Sequence, residues 1–367
     1  ALAKQNLVLW LTLFSKLSNP KALHATSALR NLYLHLLAHP LRPLQRAALD
    51  CLFTYKSPAL TSRQDQLRTL FDDTRWRDEL TNLDISAIDG NDADEVVAVI
   101  LRMLFGLMLE KKGRGRGADR RAAVLGALGS CTEEQLGLLV DLMLLPLGVD
   151  RSAHAGEAEQ GTFVLADVLA GAGGRQVAGY LNLLGDVVRL LGSRLLKFWP
   201  AIMGTTLDVL CAAQRRIEEM TMDTEEPEAA AEENAEEGGD DDHDQDGGEN
   251  TLSAKTLRNI RQVALKRLAD FFRIPVQFDF QPFLDTSFKV AISPRLPAFA
   301  SENIQSPSAI LELFHLWSGE MSFAFFLVRY DARVLPALYN CLVAQNVKPA
   351  VVERIFDLVE RVVGYAE

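Results

Sequence analysis

Apolar residues recur along this chain at intervals of three and four, the spacing that lines one face of an α-helix. Leu29, Leu32, Tyr33, Leu36 and Leu37 form the first clear stripe, and Pro40 stops it. Leu44, Ala47, Ala48, Cys51 and Leu52 repeat the pattern, with Pro43 suited to the first helical turn. Helices are predicted next over residues 61–72 and 74–83. Asp92 with Glu95 is an N-terminal capping signature, opening a helix that turns Val97, Ile100, Leu101, Leu104 and Met108 inward. After a helix over 119–128, Thr132 and Gln135 cap a segment, LGLLVDLMLLPL, that is apolar nearly all round. A helix without a polar face lies buried between neighbours.

Further helices are predicted over 162–169, 176–191 and 200–219. The cleanest covers 251–272, where Leu257, Ile260, Ala264, Leu268 and Phe271 face in and Lys255, Arg258, Gln262 and Lys266 share the outer face. Residues 274–305, with four prolines and five phenylalanines, read as a long irregular stretch. Ser306 and Pro307 start a helix running through Trp317, and Val352, Ile355, Val359 and Val362 line a last one. Alternating strand patterns and hairpin turn signals are nearly absent. The fold class is therefore all-α.

Three helical segments share a texture: PLQRAALDCL from Pro43, DRRAAVLGAL from Asp119 and PAVVERIFDL from Pro349. Each starts on Pro or Asp and sets small or branched residues among Leu/Val anchors, as the second helix of a HEAT-type repeat does. The expected architecture is a HEAT/armadillo-like α-solenoid of stacked helix pairs. The Ala at position 1 and the amphipathic last segment suggest a fragment of a longer chain.

Charge changes the picture of organisation. Residues 223–250 contain no Leu, Ile, Val, Phe, Tyr or Trp, so they have little to bury against the entropy of ordering. They are expected to form an acidic disordered tether between helical blocks 1–222 and 251–367. The chain carries a net charge of −11. Between Glu218 and Ala254 lie 16 acids and no Lys or Arg, and without them 33 acids face 38 bases, about +5. An acidic protein can thus present basic surfaces to a polyanion.

Chemistry is sparse. His35 and His39 are four apart but lack a second ligand pair, so no metal or other cofactor is expected. The glycine-rich stretches 111–117 and 170–175 follow no predicted strand, which removes the context of a phosphate loop. Four widely spaced cysteines, Cys51, Cys131, Cys211 and Cys341, fit buried free thiols in a reducing compartment. The eight-residue apolar run 7–14 is too short to span a bilayer, and no signal peptide or membrane partner is expected. An enzyme, or a small-molecule substrate, is not expected either.

What remains is a candidate polyanion surface. Lys111, Lys112, Arg114, Arg116, Arg120 and Arg121 set six positive charges around glycines at a helix start, and phosphate backbones reward such a loop through counterion release. The outer face Lys255, Arg258 and Lys266 is a second candidate. A plain solvated surface is the better expectation for each, the more so for the second. Phe278, Phe280, Phe283 and Phe288 could stack bases, but core packing is the better expectation.

FDFQPF (278–283), ISPRL (292–296), EN-x-Q-x-PS (302–308) and LELFHLWS (311–318) resemble the Down-Regulated-In-Metastasis family. SNPKALH (18–24), ALDCLFTYK (48–56) and DDTRWRDEL (72–80) resemble it as well. These are very large HEAT-repeat proteins of the small-subunit processome. The resemblance implies a nucleolar, non-enzymatic scaffold in early 40S assembly and in processing toward 18S rRNA. Its implied partners are pre-rRNA, the U3 snoRNA-containing 90S particle and ribosome assembly factors. It supplies no catalytic residue and no RNA-contact motif. A protein-only solenoid, of the nuclear-transport-receptor or phosphatase-scaffold type, is the alternative that the helical pattern leaves open.

Overall fold

The computed structural model describes residues 2–83, 85, 87, 88, 93–110, 116–154, 156, 165–223 and 252–365. Among these every regular element is helical, and much of the packing joins helices close in sequence, as in helical-repeat proteins. Internal contacts divide the chain into two compact units, Ala1–Met143 and Leu144–Glu367. These are not the expected blocks 1–222 and 251–367, because helices on both sides of the acidic run belong to the second unit. Residues 224–251, which hold nearly all of that run, lie outside the described residues, as does Asp92 of the expected cap.

The first unit contains α1 (Leu2–Phe14), α2 (Thr26–Leu37), α3 (Arg42–Phe53), α4 (Pro58–Thr61), α5 (Gln64–Thr69), α6 (Trp76–Asn82), α7 (Ala93–Leu109), α8 (Arg116–Leu128) and most of α9 (Glu133–Leu144). Its centre is α7, which packs against α2, α3, α4 and α8. All five positions predicted to face inward on α7 are buried. Gln45, itself fully buried, donates from Nε2 to the Leu37 carbonyl at 2.6 Å and the Met103 carbonyl at 3.2 Å, tying α2, α3 and α7 together. The approach is so close that a Cβ on Gly106 would sit 2.8 Å from the carbonyls of Leu37 and His39. Only glycine fits there.

Thr132 and Gln135 form the expected reciprocal cap of α9: Thr132 N–H donates to Gln135 Oε1 at 2.9 Å, and Gln135 N–H to Thr132 Oγ1 at 3.3 Å. The helix predicted over 61–72 is broken instead into α4 and α5. Thr61 and Ser62 hydroxyls donate back to the Ser57 and Ala59 carbonyls at 2.8 and 2.9 Å, a local competition that ends a helix.

The second unit contains α10 (Val168–Gly171), α11 (Gly174–Leu191), α12 (Trp199–Asp223), α13 (Ala254–Phe272), α14 (Gln281–Ser287), α15 (Phe299–Glu302), α16 (Ala309–Ser318), α17 (Met321–Ala324), α18 (Phe326–Arg329), α19 (Val334–Val343) and α20 (Pro349–Gly364). Helix α13 is its spine and packs on α11, α12 and α16. Ser253 caps it by accepting the Thr256 N–H at 3.2 Å, and all five positions predicted to face in are buried. The stretch Gly174–Met220 is long and apolar enough to cross a membrane, yet it is mostly buried as core.

Residues 274–305 are not the irregular loop expected from their prolines. Helix α14, a π-turn (Phe288–Ile292), a 3-10 turn (Ser293–Ala298) and α15 follow in direct succession. Each proline tolerated here sits where its missing N–H costs little, near the start of a turn or in the looser 3-10 segment.

All four cysteines are buried and free. Burial pushes the Cys51 thiol up to about 12 and the Cys341 thiol up to about 11, and Cys51 Sγ donates to the Leu11 carbonyl.

Candidate nucleic-acid interface

The basic run at the start of α8 splits on close inspection. Lys111, Lys112 and Arg114 lie outside the described residues, and Arg116 is described only in its helical backbone. Arg120, one turn on, points inward. Its Nη2 lies 3.1 Å from Asp73, its Nη1 donates to Glu110, and its guanidinium stacks 4.6 Å from the centre of the Trp76 ring. Arg42 reaches the same two carboxylates at 2.7 and 2.8 Å. Two arginines thus share two acids, with a cation–π contact closing one side. Arg120, only 6% exposed, is an internal tie of the first unit and is unavailable to an outside phosphate. Helical phase carries the signal: Arg120 precedes buried Val124, Leu125 and Leu128 by four, five and eight positions. Arg121 beside it is half-buried.

The face of α13 is different. Lys255 and Lys266 are exposed, and neither has an ion-pair partner among the described residues. Arg258 between them is half-buried, with its Nε shielded from solvent. The two lysines are eleven residues apart, about 16 Å along the helix axis, a span that several consecutive phosphates could occupy. The other cations of α13 serve the fold. Arg261 is 1% exposed and donates to Gln214 Oε1 at 2.9 Å. Arg267 lies across α11 at Gly185, where a Cβ would collide with its guanidinium, and pairs with Asp270 at 3.0 Å. Arg273 pairs with the same Asp270.

The phenylalanines of FDFQPF build an aromatic core. Trp199 meets Phe271, Phe278 and Phe280 with ring centres 5.2, 5.0 and 6.0 Å apart. Phe272 stacks on Phe280 at 4.3 Å and meets Trp317 edge-on at 5.5 Å. Phe288 stacks between Trp317 and Tyr330 at 5.8 and 5.0 Å. Phe280, Phe283 and Phe288 are buried and Phe278 is half-buried, so these rings have neighbours already.

The other motifs are joints as well. Arg295 grips Glu302 through two parallel contacts, Nε–Oε1 at 3.0 Å and Nη2–Oε2 at 2.7 Å, both side chains under 10% exposed. Asn303, fully buried, donates to the Phe299 carbonyl and accepts the Ser308 N–H, both at 2.7 Å. Ser308 then caps α16. From α16, Glu312 pairs with Arg354 at 3.1 Å and His315 with Asp357, fastening α20. The His315 contact holds the Asp357 carboxyl below the usual carboxylate range, helped by Arg361.

One titratable pair escaped the sequence because its members are 54 residues apart. His154 Nε2 lies 2.8 Å from Asp208 Oδ2, and Asp208 also accepts the Ala166 N–H at 2.9 Å. His154 is 8% exposed and Asp208 fully buried, with the imidazole seated against Gly204 of α12. That placement ties a loop to a core helix. The two spaced histidines stay apart in role: His35 is exposed, and His39 Nδ1 accepts the Leu41 N–H at 3.0 Å.

A family model described as "U3 small nucleolar RNA-associated protein 20, N-terminal" matches residues 1–367. The U3 small nucleolar RNA-associated protein 20 of Schizosaccharomyces pombe is 26% identical over 376 residues, covering 100% of this chain and 14% of that protein. Its namesake in Saccharomyces cerevisiae is 24% identical over 359 residues, covering 96% of this chain and 13% of that protein. The chain therefore spans about one-seventh of the length of the curated relatives it matches.

Proposed function

Since the chain belongs to the family of U3 small nucleolar RNA-associated protein 20, in its N-terminal region, we propose that it is one section of a non-enzymatic α-solenoid scaffold in early small-ribosomal-subunit assembly. The family match over all 367 residues carries this proposal. The relatives are named for association with U3 small nucleolar RNA, and the motif resemblance points to the same particle. The section works in the nucleolus, within the U3-containing 90S particle, and holds pre-rRNA and assembly factors along its helical surfaces.

RNA contact is assigned to the basic residues other than the buried Arg120. On α13 these are Lys255 and Lys266, with Arg258 between them; near α8 they are Lys111, Lys112, Arg114 and Arg116, with Arg121 at the margin. Arg120 drops out, because withdrawing it would strand Glu110 beside a single arginine. Phosphates bound by such lysines supply affinity without sequence specificity, so base choice would come from the RNA's shape or from other proteins of the particle.

The test is affinity purification of the full-length parent from growing cells, with sequencing of bound RNA. Enrichment of 18S precursors and U3 snoRNA is the expected result. Cargo proteins or a phosphatase without pre-rRNA would instead support the protein-only scaffold. For the surface, Lys255→Glu with Lys266→Glu should weaken RNA binding and lower the salt slope by about 1 to 2, with unchanged helicity. An unaltered slope would remove α13 from the interface.

A further inference from the structure

Three serines of this chain precede proline: Ser57, Ser293 and Ser306. Packing treats them differently. Ser57 is half-buried, and its hydroxyl donates to Glu95 Oε2 at 2.8 Å. Ser293 is half-buried at the start of the 3-10 turn, and its hydroxyl donates to Asp331 Oδ2 at 2.6 Å. A phosphate added at either place would face a carboxylate, a like-charge contact that disrupts. Ser306 is exposed, belongs to no helix, and has no hydrogen-bond partner for its hydroxyl among the described residues.

The surroundings of Ser306 suit an added anion. Buried Asn303 accepts the Ser308 N–H at 2.7 Å, so residues 304–307 form a short bend held at its base. Pro307 biases Ser306 toward extended backbone, the form in which protein kinases take their substrates. Two helices start beside this bend. Helix α16 begins directly after its cap, Ser308. Helix α20 begins at Pro349, next to Lys348, whose backbone N–H donates to the Ile304 carbonyl at 2.9 Å. Helix starts favour negative charge. Lys348 is itself exposed and has no ion-pair partner among the described residues.

We propose that Ser306 is a phosphorylation site for a proline-directed protein kinase. The γ-phosphoryl group of ATP is transferred to Ser306 Oγ. The Oγ–P bond forms, the bond from that phosphorus to the bridging oxygen of ADP breaks, and the hydroxyl proton passes to the kinase's base. The product adds a charge of about −1.5 to −2 at neutral pH, beside Lys348 and the two helix starts. It displaces no buried group, so the fold tolerates it. The proposal is independent of whether the protein binds RNA.

Phosphopeptide mapping of the full-length parent from growing cells should find phosphate on Ser306. The purified parent, given ATP and a cyclin-dependent kinase, should be labelled at Ser306 at least about tenfold faster than at Ser57 or Ser293, which need local opening first. Denaturing the parent before labelling should remove most of that margin, because only packing separates the three serines. Pro307→Ala should abolish the label at Ser306, as Ser306→Ala must. Lack of phosphate on Ser306, in cells or with the purified kinase, overturns the proposal. So does equal labelling of the three serines in the folded parent, or a Ser306 label that survives Pro307→Ala. A margin unchanged by denaturation overturns it as well, since flanking sequence and not the fold would then make the choice.

Discussion

The two units solve the problem of a specific core with different materials. In the first, aliphatic helices close around Gln45 and a set of charges in which Arg120 is buried and Arg42 and Glu110 are half-buried, with Asp73 at its edge. Its rings meet in pairs, such as Tyr33 with Tyr55. In the second, Trp199, Phe272, Phe280 and Trp317 sit in a connected network of rings, and buried pairs such as Arg295–Glu302 and His154–Asp208 fasten single joints. Arginine and phenylalanine are also the residue types that recognise nucleic acid, by pairing with phosphate and stacking on bases. Here Arg120, Arg261, Arg295 and the FDFQPF rings are spent on packing.

The contrast can be broken by mutation, beginning with the ring network. Trp199→Ala removes a fully buried indole and the hydrogen bond from its Nε1 to the Gly192 carbonyl at 3.0 Å. Denaturant unfolding of the second unit's transition should show a loss of about 3–5 kcal/mol. A loss below about 1 kcal/mol would mean the cluster relaxes and is not the centre of that core.

The charged core should respond in a more reversible way. Arg120→Met leaves Glu110 half-compensated and should cost about 3 kcal/mol, as breaking a buried pair does. Adding Glu110→Met should recover much of it, because an apolar pair of similar volume avoids the desolvation cost. If the double variant is no better than the single one, the ion pairs contribute net stability beyond shape. Neither variant should change RNA affinity.

The smallest effect belongs to a marginal charge of the second unit. Hydrogen bonds from Arg333 and Ser293 hold the Asp331 carboxyl well below the usual carboxylate range. A depressed carboxylate contributes stability that is complete above its unfolded value, about 4, and is lost as pH falls through its folded value. Asp331→Asn should therefore lower the melting temperature at pH 7 by no more than about 2 °C. The gap to wild type should narrow steadily below pH 4. A gap that is constant with pH would assign the effect to lost packing.

How far the sequence foretold this can be judged residue by residue. The stripes on α7 and α13 were legible because a 3.6-residue period survives over four or more turns. The cap of α9 was legible because Thr132 and Gln135 satisfy each other locally. Residues 274–305 were not, since single turns of π- and 3-10 helix leave no period and prolines mimic a loop. Arg120 was misjudged by counting charges without their helical phase. The His154–Asp208 contact had no local signal at all, being set by tertiary packing alone.

The Arg295–Glu302 clasp bears on how relatives drift. With both side chains buried, replacing either alone strands the other's charge, so the two positions are expected to mutate together or stay fixed. The ISPRL and EN motifs that frame them would persist for that reason in any protein that keeps this bend. A search keyed to those motifs would then find fellow folds reliably, and would say nothing about which of them hold RNA.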